Sequence, residues 1–121
     1  MQLPAKSLRT FIGALDFKTS RAFYTELGFT ERAIAPNLSL FTLEGNLSFY
    51  LQDYYVKEWV ENTMLFLEVE NADKHWQQVQ SLRLDQKFSN VKLSTVNAQN
   101  WGRVYYLHDP SGILWNIGEF K

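Results

Sequence analysis

The chain runs twice through the same order of local patterns, and this repeat limits the architectures open to it. The first pass opens with an apolar, strand-like run from Leu8 to Leu15. A helical segment follows from about Thr19 to Leu27. Thr19 is the expected N-cap, Ala22, Phe23 and Leu27 share one face, and Gly28 stands where a left-handed C-cap ends a helix. Three strand-like stretches come next: Glu31 to Ala35, then Leu38 to Leu43 and Leu47 to Gln52, joined by the turn-forming Glu44-Gly45-Asn46.

The second pass begins with a strand from Met64 to Val69. A helix from Asn71 to Leu82 follows, with Trp76, Val79 and Leu82 inward. A shorter strand lies within Lys87 to Val96. Arg103 to His108 and Ile113 to Ile117 then form a hairpin around Asp109-Pro110-Ser111-Gly112, where proline presets φ and glycine accepts a positive one. The two passes are offset by about 54 residues, judged from Leu15-Asp16 against Val69-Glu70. One strand–helix–three-strand unit cannot bury both faces of its sheet. Two units predict an α+β fold: two βαβββ repeats forming a cupped mixed sheet with helices outside. The expectation is a single domain over residues 1–121, with repeats at about 8–55 and 63–120, enclosing a ligand-sized hollow.

Composition narrows the function classes. Nine Phe, six Tyr and four Trp are more than so small a core hides, so some should line a pocket or an interface. The formal net charge of −1 gives no footprint for nucleic acid, and no basic run points to a membrane surface. The absence of cysteine excludes disulfides and thiol chemistry. With no apolar leader in Met1 to Thr10 and no spanning run, the expected location is the cytoplasm.

Two stretches carry a resemblance. Asp16-Phe17-Lys18-Thr19-Ser20-Arg21-Ala22-Phe23-Tyr24, with Glu26-Leu27-Gly28-Phe29 after it, resembles the opening pattern of the vicinal oxygen chelate superfamily, the glyoxalase and bleomycin-resistance proteins. The run from Trp101-Gly102-Arg103 to Asp109-Pro110-Ser111-Gly112 is similar to the closing pattern of the bleomycin-resistance branch. Fold alone does not give function, because the superfamily includes lyases, isomerases, dioxygenases and binding proteins.

The resemblance implies a divalent metal held by four side chains, two per half, inside the cup. The matching positions are Arg9, Met64 and Asn116, with Tyr50 or a residue within two of it as the fourth. Arginine has no lone pair, methionine is a soft donor, asparagine offers a neutral carbonyl and tyrosine is protonated near neutrality. No metal or other cofactor is therefore expected, although Gln52 and Glu68, two residues further along their strands, leave a displaced site open. His75 and His108 lie on different elements; His75 is expected to be a surface or semi-exposed helix residue and His108 a turn-stabilising or solvent-facing one.

Strand alternation predicts the inner face. It should carry Arg9, Phe11, Gly13 and Leu15, then Ser48, Tyr50 and Gln52, then Met64, Phe66 and Glu68, and finally Leu114, Asn116 and Gly118. The outer face should hold Ile12, Ala14, Leu65, Leu67, Ile113, Trp115 and Ile117. Trp101 and Arg103 are further ligand candidates, with Arg103 able to hold either an acidic ligand group or an acidic neighbour, as are Tyr54 and Trp59 in the aromatic, acidic stretch between the halves. These residues predict capture of a small molecule by stacking and a few charge contacts, without catalytic residues. The leading expectation is a metal-independent binder acting as a homodimer, with an antibiotic or other planar aromatic as its candidate ligand. The alternatives are a metal-dependent lyase, isomerase or dioxygenase with a displaced site, and a regulatory or structural relative.

Overall fold

A computed structural model describes all residues, Met1 to Lys121. The first half contains β1 (Phe11–Gly13), α1 (Phe17–Leu27), β2 (Thr30–Ala35), β3 (Leu38–Thr42) and β4 (Ser48–Gln52). A short helix, α2 (Lys57–Val60), leads into β5 (Met64–Glu68), α3 (Ala72–Ser81), α4 (Leu84–Lys87), β6 (Lys92–Leu93), β7 (Asn97–Gln99), β8 (Gly102–His108) and β9 (Leu114–Phe120). The fold is α+β, with the βαβββ unit present twice. The second copy is enlarged by α4 and by β7, which pairs with β8.

Each half makes its own sheet, in the orders β1-β4-β3-β2 and β5-β9-β8-β6. In both, the first strand runs parallel to the last, and the remaining ladders are antiparallel. No ladder joins the two sheets, so β1 and β5 are each left with a free edge.

Alternation decides which side of each sheet is buried. Ile12, Leu51 and Phe49 in the first sheet, and Tyr105, Leu107, Trp115 and Ile117 in the second, enter one shared core with Phe23 and Tyr24 of α1 and Val79 of α3. Tyr24, Phe29 and Phe49 of the first half all place their rings within 6 Å of Trp115, at 5.8, 5.8 and 5.5 Å. Both sheets thus turn the same face inward, toward helices and each other, and the opposite faces point outward.

A buried polar bridge ties the halves at this seam. The Tyr24 hydroxyl donates to Asp109 Oδ2 at 2.7 Å and accepts from Trp115 Nε1 at 2.9 Å. Asp109 Oδ1 accepts from the backbone amides of Ser111, Gly112 and Ile113, closing the hairpin turn. Burial pushes the Asp109 carboxyl above its usual pKa, against the pull of these donors. Every fully buried side-chain nitrogen and oxygen has a partner.

One local expectation is corrected. The cap of α1 is Asp16, whose carboxylate accepts from the Thr19 amide at 3.1 Å, so Thr19 lies inside the first turn. The stretch between the halves contains α2, which has no side-chain cap and no sequence signal. Gly28 does end α1 in the left-handed region, at φ 113°.

Candidate functional site

The outward face of the first sheet is built around one cross-strand row. Phe11 lies opposite Tyr50, Tyr50 opposite Leu40, and Leu40 opposite Arg32, so all four side chains share that face. The Phe11 and Tyr50 rings stack at 4.7 Å, and Phe11 is 45% exposed. Arg9 precedes β1 and donates from Nη1 to the Tyr50 hydroxyl at 2.9 Å, with its guanidinium carbon 5.7 Å from the ring centre. Gln52 is half-buried, between Gly13 and Leu38. At the end of β1 the connector closes over Gly13: a Cβ there would meet the Tyr54 carbonyl oxygen and lie 2.7 Å from Trp59. Tyr54 and Trp59 pair at 6.0 Å beside it.

The second sheet repeats the arrangement with different side chains. Phe66 lies opposite Asn116 and Asn116 opposite Tyr106; Met64 opposes Leu114, which opposes His108, which opposes Lys92. Glu68 faces Gly118 and is exposed. Phe66, Trp101 and Phe120 form a cluster, with ring centres 5.9, 5.6 and 4.9 Å apart. Gly118 makes room for it, because a Cβ there would stand 3.0 Å from Phe66 and 3.3 Å from Trp101. Met64 is 66% exposed and Phe66 46%.

The structure therefore brings the expected residues together in two groups on two sheets. Arg9, Phe11, Tyr50 and Gln52 form one, with Tyr54 and Trp59 at its end. Met64, Phe66, Glu68, Trp101 and Asn116 form the other. Arg103 joins neither. It points to the helix side, where Asp73 of α3 takes its guanidinium in two hydrogen bonds of 2.8 and 3.2 Å and raises its pKa. Phe120, Tyr106, Arg32 and Lys92 belong to these faces and were missed; extending the alternation along β9 from Gly118 reaches Phe120.

The four positions implied for a metal do not fit one. Arg9 and Tyr50 bond to each other. Asn116 donates its side-chain amide to Leu65 O at 3.1 Å, and Met64 offers only a thioether. Nowhere do three His, Asp or Glu side chains gather to hold a metal ion. His75 is half-buried and bonds through Nδ1 to the Tyr105 hydroxyl at 2.6 Å. Burial lowers the pKa of His75 and raises that of Tyr105. Burial, then the charge of Lys92, lowers the pKa of His108.

Between the two sheets lies an apolar hollow of about 170 Å³, lined by Phe29, Phe49, Leu65, Leu67 and Trp115 among others. It is smaller than the roughly 300–1,000 Å³ of ordinary ligand pockets. No helix is long and apolar enough to cross a membrane.

No family model matches the sequence, and none of the curated proteins does. Solved structures do match, over nearly the whole chain. The bleomycin resistance determinant encoded on transposon Tn5 is 17% identical, with 97% of this chain and 99% of that one covered and a TM-score of 0.78. The bleomycin-binding protein of the bleomycin-producing Streptomyces verticillus, complexed with copper(II)-bleomycin, is 15% identical over 99% and 100%, with a TM-score of 0.81. An antibiotic-binding protein from Streptomyces sp. CB03234 is 18% identical over the full length of both chains, with a TM-score of 0.79. The chain thus has the fold of the bleomycin-resistance and glyoxalase proteins.

Proposed function

We propose that the chain is a metal-independent small-molecule-binding protein, one domain per chain, that works as a homodimer and sequesters an antibiotic or other planar aromatic compound. The observation that carries this reading is the pair of exposed aromatic sheet faces. Contiguous apolar patches on a soluble surface usually mark a contact site, and Phe11, Met64, Phe66, Trp101 and Phe120 stay exposed in one chain. The resemblance requires one cup to take residues from both kinds of half, yet within a chain the two groups lie on separate sheets that no ladder joins. A cup with one half of each kind arises when the first half of one copy meets the second half of another, and two-fold symmetry then makes two such cups. The free edges of β1 and β5 are available for that meeting.

Three neighbours of the same fold are described as bleomycin-binding or antibiotic-binding proteins, which supports this ligand class. Rings would slide among Phe11, Tyr50, Phe66 and Trp101, gaining stacking and apolar burial without covalent chemistry. The same reading puts the protein in the cytoplasm, where an antibiotic acting on intracellular targets is intercepted. Analytical ultracentrifugation combined with tryptophan-fluorescence titration tests it, using bleomycin and planar aromatics of positive, zero and negative charge. The expected result is a dimer whose emission is quenched saturably by some of them. A monomer that answers to none of them at millimolar concentration would refute the reading.

A further inference from the structure

The two faces that this reading brings together carry charge mostly of one sign. Arg32 shares the first face through its row with Leu40, Tyr50 and Phe11, and Arg9 reaches the same face at Tyr50. Lys92 shares the second through His108, Leu114 and Met64. None of these three cations makes an ion pair; the pairs present are Arg21–Glu31, Lys87–Glu26 and Arg103–Asp73. Against them stand Glu68 on the second face and Glu61, which lines the same depression as Lys92 and His108, so the cations beside the rings of the first face, Arg9 and Arg32, are the ones left without an acidic neighbour. Burial first, and then the charge of Lys92, holds His108 toward its neutral form.

A cup with apolar walls focuses such a field rather than screening it. A planar cation would meet like charge there. Arg9 spends one of its five N–H donors on a neutral phenol and keeps the others for an acceptor. We propose that the ligand of the cup is a planar aromatic anion, a carboxylate, sulfonate or phosphate ester, with Arg9 as its charge partner and the rings of Phe11, Tyr50, Phe66 and Trp101 as its walls. This rests on the two-copy cup described above.

Three probes of matched shape test it: naphthalene-2-carboxylate, naphthalene-2-carboxamide and 2-naphthylmethylammonium, titrated by calorimetry against the full chain. The carboxylate is expected to bind about tenfold more tightly than the carboxamide, since a charge-assisted contact is worth roughly that factor, and the ammonium most weakly. Rising ionic strength should weaken the carboxylate alone. Arg9→Gln should abolish the carboxylate's advantage over the carboxamide; Arg32→Gln serves as a second variant, with circular dichroism to check that each folds. Ammonium binding equal to or tighter than that of the carboxylate overturns the inference while leaving the cup a ligand site. Failure of all three probes to bind overturns the cup reading and the inference with it.

Discussion

Replacing Tyr24 by Phe removes one oxygen atom from the place where the two repeats are joined. The ring stays, so the aromatic contacts with Phe23, Phe49 and Trp115 survive. What disappears is the hydroxyl that donates to Asp109 Oδ2 and accepts from Trp115 Nε1, all of it fully buried. A hydrogen bond to a charged group contributes about 1.5–3 kcal/mol, and a buried donor left unpaired costs about 1–3 kcal/mol. The two losses share an atom and are not additive, and Asp109 keeps three backbone amides on its other oxygen. A destabilisation of about 3 kcal/mol is expected. With a urea m value of about 1.5 kcal/mol/M, the unfolding midpoint should fall by about 2 M. The assay is urea denaturation followed by far-ultraviolet circular dichroism at fixed protein concentration. Tyr54→Phe is the control, because that ring is 59% exposed and its hydroxyl makes no protein hydrogen bond; its midpoint should barely move. A Tyr24→Phe loss below about 1 kcal/mol would show that the bridge does not hold the halves together.

Gly13→Ala should destabilise by about 2 kcal/mol or more, because the new methyl meets the Tyr54 carbonyl oxygen and the Trp59 and Val60 side chains together; a calorimetric melt equal to wild type would refute this. Gly28→Ala, at φ 113° with open space around it, should cost about 1 kcal/mol through backbone strain alone, read from the same melts. Burial raises the pKa of Glu31, but hydrogen bonds from Arg21 and Ser39 and the charge of Arg21 outweigh it, leaving the carboxyl below its ordinary 4.5. The folded state therefore binds this proton less tightly than the unfolded chain does. The stability gap between wild type and Glu31→Gln should be full at neutral pH and close as pH falls below 4.5, and a gap that widens in acid would reverse the sign. Arg103→Gln should leave the affinity for every aromatic probe unchanged, since Asp73 holds that side chain on the helix side.

Much of the fold was legible because period-two alternation is set by the pleat itself. Ile12, Ala14, Leu65, Leu67, Ile113, Trp115 and Ile117 were assigned one face, and all are buried or packed against the core. Short elements were not legible. Helix α2 spans four residues without a side-chain cap, and α4 starts after Arg83 in the left-handed region, a conformation that arginine does not advertise. Asp16 reads as a strand end until its carboxylate is seen accepting from Thr19. Arg103 is drawn toward the site by its nearness to Trp101 in sequence, but Trp101 lies before β8, and within β8 it is Gly102, opposite Phe120, that takes the aromatic side, which sends Arg103 to Asp73. Alternation also says which side of a strand is buried but not which sheets come together. The separation of Arg9 and Tyr50 from Met64 and Asn116 therefore had no sequence signal.

That separation has a genetic consequence. If every binding cavity draws one wall from each of two polypeptides, damage to the Phe11 wall in one allele and to the Phe66 wall in another does not spoil both cavities of a mixed pair. One cavity collects both lesions, and its twin is built wholly from intact walls. Two alleles that each fail alone would then restore about a quarter of the capacity when expressed together at equal levels, since half of the randomly formed pairs are mixed, and a duplicated gene could lose one wall in each copy without losing function.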